Sequence, residues 1–179
     1  MMIVNNHIKE KLATILSLYN FSVSNEYDNF VEFSNDIYSI TVSHNQMENS
    51  NSLSIGKKNS HLIEINKRIL KSIFNLDINI ENLPFIQFLE NVEKVLNSIV
   101  KLLFSKDSTL IEEMEDLDYL EAKRYTRQLI HNQNLKIADK AWNEKKYSEF
   151  IRIFDELYVD LLPNSYIMKL DYAKKQLNN

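Results

Sequence analysis

Glu112, Glu113, Glu115, Asp116, Asp118 and Glu121 fall within the stretch EEMEDLDYLE, the densest charge in the chain. Carboxylates this close can serve acid–base catalysis or meet a positively charged surface. A glycosidase-like pair needs two carboxyls held across a substrate, and a run along one helix supplies a solvated face more readily. Near a helix start each acid gains about 0.3–1 kcal/mol from the backbone dipole, which accounts for two or three of the six. The others repel one another, a cost that a basic protein surface relieves. Lys123, Arg124 and Arg127 follow and can pair back to Asp116 and Glu121 at helical spacing, so a self-neutralised face stands beside the docking face.

Other chemistry is poorly supplied. His7, His44, His61 and His131 lie too far apart in sequence to pair on one helical turn as metal ligands. One glycine in the whole chain excludes glycine-rich phosphate loops. Neither GxSxG nor HExxH occurs, and without cysteine there is no thiolate nucleophile, zinc-thiolate site or disulfide. The expectation is a chain that is not an enzyme and carries no cofactor or metal. A catalytic site assembled from distant residues is the alternative that one sequence leaves open.

The elements that position the acidic run follow from composition and periodicity. The chain has 179 residues, 44% of them hydrophobic, enough for a packed interior. One glycine and two prolines point away from sandwiches and barrels and toward helices with short connections. A net charge of −4 offers no basic field for nucleic acid. The first residues place His7, Lys9, Glu10 and Lys11 where an export signal needs an apolar run, and no stretch is apolar enough to span a bilayer. A cytoplasmic protein without membrane contact is expected.

Residues 6–19 carry Ile8, Leu12, Ile15, Leu16 and Tyr19 at helical spacing behind a capping asparagine. Residues 20–57 then alternate with period two, as in NFVEFS, IYSITVS and SLSIG, predicting a small antiparallel sheet of three or four strands. Asn35-Asp36 suits a tight hairpin with positive φ, HNQMENSNS reads as a longer polar loop, and Gly56 as a turn at the end of the last strand. From Ser60 helical spacing returns with Leu62, Ile65, Ile69 and Ile73. Asn82 and Pro84 open FIQFLENVEKVLNSIVKLLF, the best candidate for a buried central helix. Thr109 to Glu112 reads as a capping box starting a helix toward His131, followed by helices over 135–142, 148–161 and 164–177. The expected fold is α+β: a small portion over 1–58 and a helical portion over 59–179 sharing one core.

Ala138, Ala141, Trp142, Tyr147 and Phe154 resemble one tetratricopeptide-type helical hairpin over residues 135–163, from whose pattern Pro163 departs by falling about one position late. The resemblance implies close helix packing at the alanines and, as an alternative function, an adaptor or chaperone module with Asp139, Trp142 and Asn143 on its concave face. Glu144-Lys145-Lys146 stands where that family usually has a glycine, Phe150 where it prefers a small residue, and one hairpin is short of the three or so repeats that build a groove. As a whole the small acidic chain, half sheet and half helix, is similar to bacterial immunity proteins, which block a toxin by binding it. That resemblance implies a non-catalytic, protein-binding inhibitor whose partner is a basic toxin or enzyme, with the six carboxylates as its contact.

Overall fold

The computed structural model describes residues 2–105 and 109–177. The fold is α+β, with an antiparallel sheet and a helix at the N-terminus followed by a larger helical part. Two compact units divide the chain, 1–118 and 119–179. The elements from 59 to 117 belong to the core begun by the sheet.

In the first unit, α1 (Met2–Ser17) precedes β1 (Ser22–Tyr27), β2 (Phe30–Ser34), β3 (Tyr38–Asn45), β4 (Ser50–Lys57) and β5 (Ile63–Glu64). The strands lie in chain order in one sheet, each antiparallel to the next. Period-two alternation places Val31 and Phe33, Ile40 and Val42, and Leu53 and Ile55 on one face. The register lines them up in rows: Phe33 opposite Ile40, Ile40 opposite Ile55, and Ile55 opposite Ile63. Ile8, Leu12 and Leu16 of α1 are buried in the same core. Neither Asn5 nor Asn6 caps α1, since both lie inside the helix, and Asn5 donates through Nδ2 to the Tyr27 carbonyl at 2.6 Å.

Then come α2 (Lys67–Ser72), α3 (Phe85–Leu103) and the first turns of α4 (Leu110–Asn143). α3 buries Phe88, Leu89, Val92, Val95, Leu96, Ile99, Val100 and Leu103, the expected central helix, while Leu102 faces outward. Four local expectations need correction. Ile63 and Ile65, both buried, alternate as a strand edge does, so the helix after Ser60 shrinks to six residues. The loop after His44 is only the turn 46–49, closed by Asn49 at φ 48°. Asn35 keeps negative φ and turns the β2–β3 hairpin through its side chain, whose Oδ1 accepts the amides of Ile37 and Tyr38. Gly56 lies within β4, where a Cβ would sit 2.7 Å from the His61 carbonyl oxygen; it permits close approach of the chain, not a turn.

The second unit contains the rest of α4, then α5 (Tyr147–Phe154), a 3-10 turn (Val159–Leu161) and α6 (Asn164–Leu177). α4 is one uninterrupted helix rather than two, since no proline or glycine lies between 110 and 143 to break it. Ala138 and Ala141 are buried against Phe150, Ile153, Phe154, Tyr166 and Ala173, a core separate from that of the first unit. Trp142 packs edge-on to Tyr147 and Tyr172.

Candidate protein-docking face of helix α4

The six carboxylates have different surroundings. Ile111 and Met114 point into the first core, which turns Glu112, Glu113 and Asp116 toward solvent. Glu112, Glu115 and Asp118 follow at intervals of three. Lys57, at the end of β4, donates to Glu112 Oε1 at 2.7 Å, and His61 Nε2 lies 3.6 Å from Asp118 Oδ2. The hydrogen bond from Lys57 holds the Glu112 carboxyl below its usual range, and the Lys57 ammonium is raised in return, with Glu115 adding to that pull. Both partners stay about half exposed, so the pair is a weak, exchangeable surface contact.

The expected capping box does not form with Glu112. Thr109 Oγ1 instead donates to Glu113 Oε1 at 2.9 Å, because Glu112 is drawn toward Lys57. Glu113, Glu115 and Asp116 have no cationic side chain within ion-pair distance among the described residues. Glu121 lies half-buried in the second unit.

Arg127 does not pair back along α4. Its Nη2 donates to Asp160 Oδ1 at 2.7 Å, and its guanidinium stacks 4.3 Å above the Tyr158 ring. Lys123 and Arg124 are exposed and make no ion pair among the described residues. Acid therefore crowds the first turns of α4 and base the turns that follow.

Neither composition nor charge announces the groove found in the second unit. Tyr119, Ala122, Lys123, Thr126, Arg127 and Ile130 of α4, with Tyr158, line a volume of about 680 Å³. Tyr119 is 66% and Ile130 42% exposed, so apolar side chains share this lining with the cationic Lys123 and Arg127. The available signal was the recurrence of Tyr119, Thr126 and Ile130 with helical spacing on a stretch already assigned to charge.

His131 and His44 are engaged within the fold. His131 is buried, its Nδ1 accepting the Tyr158 amide at 3.3 Å, and His44 donates through Nδ1 to Asn51 Oδ1 at 2.7 Å while its ring packs on Phe85. Among the described residues no three His, Asp or Glu side chains converge as a metal site, and no helix is long and apolar enough to cross a membrane. No protein-family model, curated protein or solved structure matches the chain.

Proposed function

We propose that this protein is a non-catalytic inhibitor of the immunity or antitoxin kind, which binds a basic partner protein through the acidic first turns of α4. One observation supports the reading above the rest. Among the described residues Lys57 and His61 answer only Glu112 and Asp118, while Glu113 and Asp116 remain exposed without a cation of their own. A cationic surface laid along those turns removes the repulsion that the helix otherwise bears and gains speed of encounter from the field. A cytoplasmic site of action suits a chain with no cysteine.

The adaptor reading finds less support. Asp139, one of its concave positions, is held by Lys169 Nζ at 3.0 Å, so its carboxylate is already engaged. The test is capture of partners from the native host by the immobilised protein, in parallel with a variant carrying Glu112→Lys, Glu113→Lys, Glu115→Lys and Asp116→Lys. A basic partner that binds the native chain, weakens with added salt and is lost by the variant is the expected result. Undiminished capture by the variant overturns the proposal.

A further inference from the structure

We infer that the groove beside α4 is a binding site for a small aromatic anion, a flat ring system bearing a carboxylate, sulfonate or phosphate. The site lies wholly within the second unit and does not rest on the basic partner proposed above. Tyr119, Ala122, Ile130 and Tyr158 supply its apolar lining, and Lys123 and Arg127 supply its charge. Its volume of about 680 Å³ is that of an ordinary small-molecule site.

One wall is held in place by α4 itself. The Tyr158 amide donates to Nδ1 of the buried His131 at 3.3 Å, and the Arg127 guanidinium lies 4.3 Å from the centre of the Tyr158 ring. Arg127 Nη2 in turn donates to Asp160 Oδ1 at 2.7 Å. That contact fixes the guanidinium against the ring, and a guanidinium has more N–H donors than one carboxylate oxygen takes up. A ligand therefore meets Tyr158 and Arg127 already in position, so little ordering is left for binding to impose.

The charge of the lining selects the ligand. Lys123 stands one turn before Arg127 on the same side of the helix, where like charges repel. Asp160 answers Arg127, whereas Lys123 has no carboxylate within ion-pair distance among the described residues. Residues 119–179 carry eleven Lys and Arg against eight Asp and Glu, so the field of this unit is positive although the whole chain is negative. A cationic ligand is repelled here. An uncharged one leaves Lys123 unanswered, and an inorganic anion leaves Tyr119, Ala122 and Ile130 in water. A flat ring with one negative group meets both needs: the ring covers the apolar lining, and the anionic group accepts a charge-assisted hydrogen bond from Lys123.

Fluorescence titration of the full chain with anilinonaphthalene sulfonate tests the inference. The probe should bind saturably, and phenylnaphthylamine, a similar ring system without the sulfonate, should bind about tenfold or more weakly. Lys123→Glu and Tyr119→Ala should each weaken the sulfonate by about tenfold. Lys174→Glu makes the same change of charge on an exposed residue of α6 outside the lining, and should stay within about twofold of native because distant surface charges are screened. Naphthoate should displace the probe, and inorganic phosphate at the same concentration should not. Far-UV circular dichroism establishes that each variant is folded, and Lys123→Gln, which removes the charge without reversing it, should lie between native and Lys123→Glu. Absence of saturable binding, phenylnaphthylamine bound as tightly as the sulfonate, or phosphate as effective as naphthoate overturns the inference. So does a Lys123→Glu variant that binds like the native chain or no worse than Lys174→Glu.

Discussion

The Lys146 amide donates to the Ala141 carbonyl at 2.9 Å, five residues back, and closes the C-terminal end of α4. The Lys145 amide donates to the Trp142 carbonyl inside the same turn, and Lys145 itself adopts φ 56°. This is the left-handed helix terminus that glycine ordinarily occupies. The turn lets Tyr147 and Phe150 fold back onto Trp142, so the chain reverses here with a lysine at the left-handed position.

Lys145→Gly should therefore stabilise the protein. A side chain in the left-handed region costs about 1–2 kcal/mol, and glycine gives back about 0.5–1 kcal/mol through its freer unfolded chain. A net gain of roughly 0.5–1 kcal/mol is expected as a higher urea midpoint with an unchanged slope. Lys145→Ala should gain nothing, since alanine keeps the Cβ. Equal midpoints for the glycine and alanine variants would mean that φ at this position carries no cost.

Gly56 gives a test of the opposite sign. A Cβ there would meet the His61 carbonyl oxygen at 2.7 Å and Leu62 Cδ2 at 3.1 Å. The His61 contact is with backbone, which cannot swing aside. Gly56→Ala should cost about 1–3 kcal/mol, the range for overpacking a filled interior, and should loosen β5 from β4. Hydrogen exchange of the Ile65 amide, which bonds the Leu53 carbonyl at 2.8 Å, should accelerate. A variant as stable as the parent, with that amide still protected, would show that the 61–62 segment yields freely.

Gly56 also marks where the sequence was legible and where it was not. Helix α3 could be read directly, because Phe88, Val92, Val95 and Ile99 keep one period through about three turns and all go inside. The strands β2 to β4 could be read for the same reason with period two. The short β5 could not: Ile63 and Ile65 offer one cycle of alternation, and Ile69 and Ile73 beyond them extend an apparent helical stripe backward. A close approach between segments, which is what requires Gly56, leaves no mark at either period. At the candidate site the acidic run was evident as composition. That Lys57 would draw off Glu112, and Asp160 would draw off Arg127, depends on side chains 55 and 33 residues away.

Tyr166 ties the stability of the second unit to alkaline pH. Burial raises its phenol well above the usual tyrosine range, and a hydrogen bond to the Asp139 carboxylate, which only the protonated phenol can donate, raises it further. Lys169 holds the same carboxylate at 3.0 Å and lies 4.3 Å from the Tyr166 ring centre. In the unfolded chain the phenol titrates near pH 10. Below that pH both states keep the proton and the contribution is fully present. Above it the unfolded state gives up a proton that the folded state retains, so stability falls as pH rises toward the folded value. Tyr166→Phe removes the hydrogen bond and the titration together. At neutral pH the variant should be less stable by roughly 0.5–1.5 kcal/mol, and the native advantage should shrink steadily above about pH 10. Urea unfolding of both proteins between neutral pH and about pH 11, compared as a difference so that the other tyrosines and the lysines cancel, measures the effect. A difference that stays constant across that range would mean that the Tyr166 phenol ionises alike in the folded and unfolded chains.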